Sequence, residues 1–255
     1  MYEHLTYAQD GAVTLITINR PERMNAIGPQ THRELVDAWQ RFRDDDEAYV
    51  AVLTGAGARE LHVHPRGPDG GDTVEPGPVA DTVRAIRAAC SGTPLGLTTG
   101  LWTTGGDAER RLALVAAWDE LPDYASANLA EPGFEELCEL LAARGVGIEA
   151  GVWARQGAER LIESGVEPLR VLVETNDLEA AAAIDAALVA GGVTAPQLHH
   201  GGGAEAWAAL DAGLARGRDT RIGLEDTTAM PDGSPARDNA ALVAEARRRV
   251  SGSAA

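Results

Sequence analysis

Aromatic residues make up only 4% of this 255-residue chain, so its core has to be assembled mainly from Ala, Val, Leu and Ile. Basic residues are also short, 22 Lys and Arg against 39 Asp and Glu, which leaves a formal net charge of −17. That balance argues against a nucleic-acid or anionic-membrane surface, because both need clustered cations. There are just two cysteines, Cys90 and Cys138, in separate helix-like segments without metal-type spacing, and both are expected to be reduced and structural. No apolar run approaches the roughly 18 residues that span a bilayer. The N-terminus also lacks a basic region followed by an apolar one, so the expected compartment is the cytoplasm. What remains is a hydrophobic content of 44%, enough for a sizeable core, in a chain whose length suits a single α/β barrel.

The chain opens with alternating and then β-branched residues between Leu5 and Asn19, the pattern of a hairpin whose second arm is a strong strand. Thr31 to Phe42 has apolar residues at helical spacing and runs into the acidic cluster Asp44 to Glu47, expected to be a solvated helix end. A further strand follows at Tyr49 to Thr54, so the segment reads as a hairpin feeding a right-handed βαβ unit.

From Ala58 the pattern becomes a regular alternation of strands and helices. Strands are predicted at Glu60 to His64, Leu95 to Thr99, Tyr124 to Leu129, Val146 to Val152, Arg170 to Glu174, Gln197 to His200 and Thr220 to Glu225. Ala-rich helices with charged outer faces lie between and after them. Such repeats predict a TIM-type (β/α)8 barrel that is incomplete or irregular at its N-terminal unit. Val13 to Ile18 offers one way of supplying the first strand, which leaves the strand at Val50 without a place. The seam Gly55 to Arg59 has no linker composition.

Chemistry concentrates at the predicted strand ends, where such barrels keep their working residues. On an extended strand His62 and His64 share a face, a metal-ligand pair lacking a third member. Arg221, Gly223 and Glu225 share a face on the last predicted strand, and Asp226 begins the following loop. Two imidazoles and one carboxylate make an open divalent site, of which zinc is a frequent occupant. Zinc on the ketone and carboxylate oxygens of a β-keto acid acidifies the carbon between them, and Asp226 is placed to take that proton. Thr98, Thr99, Ser126, Asn128 and Glu149 are further strand-end candidates for substrate contact. Glu149 reads equally well as a buried hydrogen-bonded carboxylate, and His199 and His200 as loop caps beside Gly201 to Gly203. Trp102, Trp118 and Trp207 read as packing residues.

Two families are recognisable in these residues. Asn19-Arg-Pro-Glu-Arg-Met-Asn25-Ala26 and Val50-Ala-Val-Leu-Thr-Gly-Ala-Gly57 resemble the opening of the crotonases, but the Ala-Gly-x-Asp segment of that family's oxyanion hole does not follow. His62-Val-His64-Pro-Arg66, Thr98-Thr-Gly100, Ala125-Ser-Ala-Asn128, Gly147-Ile-Glu149-Ala-Gly, Arg221-Ile-Gly-Leu-Glu225-Asp226 and Asp238-Asn-Ala-Ala-Leu-Val243 resemble, in order, the β-keto acid cleavage enzymes. Two units are therefore expected, a crotonase-like ββαβ fragment over 1–57 and a β-keto acid cleavage enzyme-like barrel over 58–255.

The second resemblance implies a zinc-dependent acyltransferase that takes a β-keto acid and acetyl-CoA to acetoacetate and a new acyl-CoA. By position it implies His62, His64 and Glu225 as zinc ligands, Asp226 as base, and Arg221 steering the base or an anionic group. Thr98, Ser126 and Asn128 would hold the substrate. The chain departs from that family in lacking its first strand. The other readings are a crotonase-type enoyl-CoA hydratase and a catalytically inactive chimera. An incomplete barrel also exposes strand edges that invite a homo-oligomer.

Overall fold

The structure, a computed structural model, describes residues 2–10, 13–18, 30, 33–34, 37–38, 40–41, 50–54, 59–89 and 92–253. The seam after Thr54, the acidic cluster at Asp44 to Glu47, Cys90 and most of the expected first helix lie outside these residues. The strands form two sheets, one mixed and one wholly parallel. Strands β1 (Leu5–Asp10), β2 (Val13–Ile18) and β3 (Val50–Thr54) form a sheet of their own, with β1 antiparallel and β3 parallel to β2.

The second sheet has seven parallel strands in chain order. They are β4 (Leu61–Val63), β5 (Leu95–Thr98), β6 (Tyr124–Asn128), β7 (Gly147–Val152), β8 (Arg170–Glu174), β9 (Gln197–His200) and β10 (Asp219–Thr220). Helices α1 (Pro76–Ala89), α2 (Ala108–Ala116), α3 (Phe134–Ala143), α4 (Arg155–Ser164), α5 (Leu178–Ala190), α6 (Ala206–Ala215) and α7 (Asn239–Ser253) follow the strands in alternation. Their starts carry local signals: Asp107 and Asp177 accept hydrogen bonds from the first free N–H groups of α2 and α5. Covered by helices, the inner strands are buried along nearly their whole length, as parallel strands are. The main core joins Leu95, Leu97, Ala125, Ile148, Val171 and Val173 of the sheet to Val83, Ile86, Phe134, Leu137, Leu161 and Ile184 of the helices.

The barrel expected to be incomplete at its N-terminal unit is, among the described residues, an open, curled sheet of seven parallel strands. Val13 to Ile18 does not supply the missing strand, because β2 spends both its edges on β1 and β3. This sheet instead packs outside: β2 lies against α1 and β3 against α7, and Leu5, Ile16 and Ala38 share an apolar cluster with Ala240 of α7. The ββαβ fragment thus covers the flank between the first and last helices of the alternating unit.

A second difference concerns the last strand. Ladder pairing ends at Thr220, and residues 221–226 form a turn in which the Asp226 and Thr227 N–H groups donate to the Gly223 carbonyl. The Asn239 side chain accepts from Leu224 N–H at 3.1 Å, tying the turn to the start of α7. With β4 as its far edge, β10 finds no neighbour beyond β9 among the described residues, so nothing extends it past two residues.

Candidate metal centre

His62 lies in β4 and His64 just beyond it, with ring centroids 5.3 Å apart and ring planes at 71°. The turn after β10 brings Glu225 to them, with its Oε1 3.3 Å from His64 Nε2. One ligand atom each from His62, His64 and Glu225 fall within 4.8 Å of one another. The expected trio therefore does converge, though a turn rather than a strand face presents Glu225.

The imidazoles are turned by partners on their other nitrogens. His64 Nδ1 is 2.9 Å from Asp72 Oδ2, and His62 Nδ1 is 3.5 Å from Ser126 Oγ and 3.8 Å from Glu149 Oε1. Burial, helped by the nearby Arg221 charge, pushes the His62 pKa down to about 4, so its ring is neutral at pH 7. Burial also lowers that of His64, but Glu225 and Asp72 outweigh it and the net direction is upward. For Glu225 burial acts to raise the pKa, yet the His64 hydrogen bond and the Arg221 charge hold the carboxyl far below its usual range.

Arg221 Nη2 reaches Glu225 Oε1 at 3.0 Å and Asp226 Oδ1 at 3.2 Å, so one guanidinium holds both adjacent carboxylates. Asp226 is buried, and its Oδ1 also faces His200 Nδ1 at 3.1 Å. Burial raises its pKa, but His200 and Arg221 prevail and keep it ionised. The sequence puts His200 at a strand end, where it reads equally well as a loop cap or a functional residue; its partner Asp226, remote in sequence, makes it a support for that carboxylate. Of the glycine run behind it, Gly202 N–H donates to Asn176 and Gly203 N–H to the Asp226 carbonyl.

The other strand-end residues are buried and bonded within the protein. Ser126 donates to Glu149 at 2.6 Å, and Thr99 donates to the Ser126 carbonyl. Thr98 Oγ1 accepts from Gly100 N–H, and Asn128 Nδ2 donates to Glu131 Oε1 at 2.9 Å. Glu149 Oε2 pairs with Arg170, which also bonds Glu60 and lies 4.4 Å over the Tyr124 ring. Burial tends to raise the Glu149 pKa, but His62, Arg170 and Ser126 hold it down. This ion network fills the inside of the curl where a closed barrel would have stacked apolar layers.

Trp118 and Trp207 are buried and donate to the Val74 and Ala229 carbonyls. Trp102 departs from the packing role expected of it: it is exposed, tilted beside His64 and hydrogen-bonded to Asp72. Gly100 makes room for it, because a Cβ there would meet the indole at 1.9 Å.

A model of the beta-keto acid cleavage enzymes matches residues 46–201 and 198–253. The chain belongs to that family. Overlapping the start of the family's segment, residues 8–60 match the enoyl-CoA hydratase/isomerase model. The chain is 47% identical over 49 residues to (E)-benzylidenesuccinyl-CoA hydratase of Thauera aromatica, covering 19% of each protein. Among solved structures it is similar to apo ObcA (TM-score 0.65, 17% identity, 78% of this chain and 59% of that one). ObcA in ternary complex with a C4-CoA adduct and oxalate gives 0.63 at 17% identity, covering 77% and 60%. The 3-dehydroquinate dehydratase of Aquifex aeolicus VF5 gives 0.52 at 17% identity, covering 76% and 89%. At these identities the structures share the fold alone. The chain spans about a fifth of the curated relative and about three fifths of ObcA.

Proposed function

We propose that this family member is an enzyme of CoA thioester chemistry whose site is built around a divalent ion held by His62, His64 and Glu225. The convergence of these three side chains beside an ionised Asp226 carries the reading. Two imidazoles and a carboxylate suit zinc, and both rings have their Nδ1 atoms turned to protein partners, which leaves Nε2 for the ion. When bound, the ion supplies Lewis acidity toward the ketone and carboxylate oxygens of a β-keto acid.

The remaining work falls to side chains of this chain. Asp226, charged and fixed by Arg221 and His200, accepts the proton from the carbon between the two carbonyls. Arg221 steers that base and offers positive charge to an anionic group. Thr98 keeps its hydroxyl proton and Asn128 its second amide hydrogen for substrate oxygens, among the described residues. Thr99, Ser126 and Glu149 shape the same wall through their mutual hydrogen bonds. The carbanion attacks the thioester carbonyl of acetyl-CoA and displaces the CoA thiolate. The thiolate then attacks the original ketone and cleaves its bond to the central carbon, giving the new acyl-CoA, and the proton held by Asp226 returns to that carbon to release acetoacetate. In this reading 58–255 is a (β/α)8-type unit lacking its first strand, 1–57 is an appended fragment, and the compartment is the cytoplasm.

A crotonase-type hydratase is the second reading, and on named relatives it is the better supported, since the Thauera aromatica enzyme is a CoA hydratase. ObcA, which shares the fold, is described with a C4-CoA adduct, so CoA binding fits both readings. Metal content of the purified chain, with parallel assays for acetoacetate formation and for enoyl-CoA hydration, separates them. About one ion per chain and acetoacetate support the first; hydration without metal supports the second. No metal and no turnover leaves the inactive chimera.

A further inference from the structure

Pro65 to Thr73 is a compact return loop. Thr73 N–H donates to the Pro65 carbonyl and Gly67 N–H to the Gly71 carbonyl, Arg66 and Asp72 form an antiparallel bridge, and Gly70 turns the chain at φ 77°. Its effect is to bring Asp72 back beside His64. There Asp72 Oδ2 accepts from His64 Nδ1 at 2.9 Å and from Trp102 Nε1 at 3.1 Å, while Arg66 Nη1 stands 2.9 Å from Oδ1 as an ion pair. A carboxylate gripped from three sides is a fixed acceptor, and a fixed acceptor on Nδ1 selects the tautomer whose Nε2 lone pair is available.

We propose that Asp72 is a positioning residue of the candidate metal centre. It locks the His64 ring so that Nε2 faces Glu225 and His62, with Trp102 and Arg66 holding the carboxylate in place. The inference rests on the metal reading above and adds to it a residue that touches no ion itself. His62 lacks so firm a support, its nearest Nδ1 neighbours lying at 3.5 and 3.8 Å, so the rigidity of the trio depends chiefly on the Asp72 side.

The test is calorimetric titration of chelator-stripped protein with Zn²⁺ and Co²⁺, in wild type, Asp72→Ala, Asp72→Asn and Trp102→Phe. Asp72→Ala should weaken metal binding about 10- to 100-fold, the usual cost of losing such an outer partner. Asp72→Asn, which keeps an acceptor without its charge, should recover part of the loss, and Trp102→Phe should show a smaller loss in the same direction. Circular dichroism of the stripped proteins reports whether each variant folds; should Asp72→Ala fail to, the other two variants decide. Wild-type affinity in the folded Asp72 variants would overturn this inference and leave the metal reading standing. A wild-type chain that binds neither ion would overturn both.

Discussion

His64 Nε2 and Glu225 Oε1 stand 3.3 Å apart although they come from opposite ends of a seven-stranded sheet whose edges do not pair. The ends meet through this side-chain pair at the rim, while further in Arg170 of β8 and Tyr124 of β6 reach across to Glu60 and the Leu61 carbonyl at the β4 edge. An open sheet held in a curl by polar contacts should depend on them more than a closed barrel would.

Removing any of the trio should abolish stoichiometric metal binding. His62→Ala and Glu225→Ala are expected to retain less than a tenth of an equivalent of zinc after dialysis, against about one for wild type. Binding to the folded state alone should stabilise the wild-type chain by about 2.7 kcal/mol at a metal concentration 100 times Kd. A chelator should reverse that shift in urea denaturation and leave Glu225→Ala unmoved.

Arg111 is fully buried and pairs with Glu131, while its Nη2 donates to the Pro132 carbonyl at 2.6 Å. Glu131 in turn accepts from Leu101 N–H and Asn128 Nδ2, so this pair clamps the ends of β5 and β6. Arg111→Leu strands a buried carboxylate and should cost about 3–5 kcal/mol. Arg111→Leu combined with Glu131→Leu should cost less than the single change. Equal urea midpoints for wild type and Arg111→Leu would remove the clamp from the account.

Much of this was readable from the sequence because periodicity is local. The apolar stretches at Leu95, Tyr124, Gly147 and Arg170 become strands close to their expected bounds, and the spacing of His62 and His64 places both rings together. The trio could be foreseen because its members are chemically unusual at strand ends. What could not be read was set by tertiary pairing. The run after Thr220 looks like a strand, but among the described residues it has no neighbour beyond β9 to pair with, and the Gly223 turn takes over. Asp72 was invisible for a similar reason: its significance lies in a loop that returns it to His64, and a Pro- and Gly-rich stretch does not announce its partner. The engaged hydroxyls of Ser126 and Thr99 follow from neighbours on adjacent strands, which no linear pattern specifies.

Stability should fall between pH 6.5 and 4. Burial, with the Arg216 and Arg218 charges, lowers the His199 pKa to about 4, and His62 shifts the same way. In that window the unfolded chain binds more protons than the folded one, so stability rises with pH and is fully present above the unfolded value of 6.5. After allowance for solvent screening, His199 should account for roughly 1–2 kcal/mol. Replacing it by Gln should flatten the dependence of the urea midpoint on pH across that range; an unchanged slope would assign the acid sensitivity elsewhere.

Gly96 in β5 has no room for a side chain, because a Cβ there would lie 2.0 Å from the Tyr124 ring. That ring cannot move cheaply: it is buried, Arg170 covers one face, and its hydroxyl donates to the Leu61 carbonyl at 3.0 Å. Gly96→Ala must therefore displace the ring or the strand, at about 1–3 kcal/mol for overpacking. Because Leu61 precedes His62 in β4, the displacement should also weaken zinc binding. Tyr124→Phe loses only the hydroxyl contact, about 1 kcal/mol, and separates that bond from the steric effect. Shrinking the ring with Tyr124→Leu should make Gly96→Ala milder, the coupling expected of residues in contact. Additive urea midpoints in that double-mutant cycle would show that the ring is not what excludes a side chain at position 96.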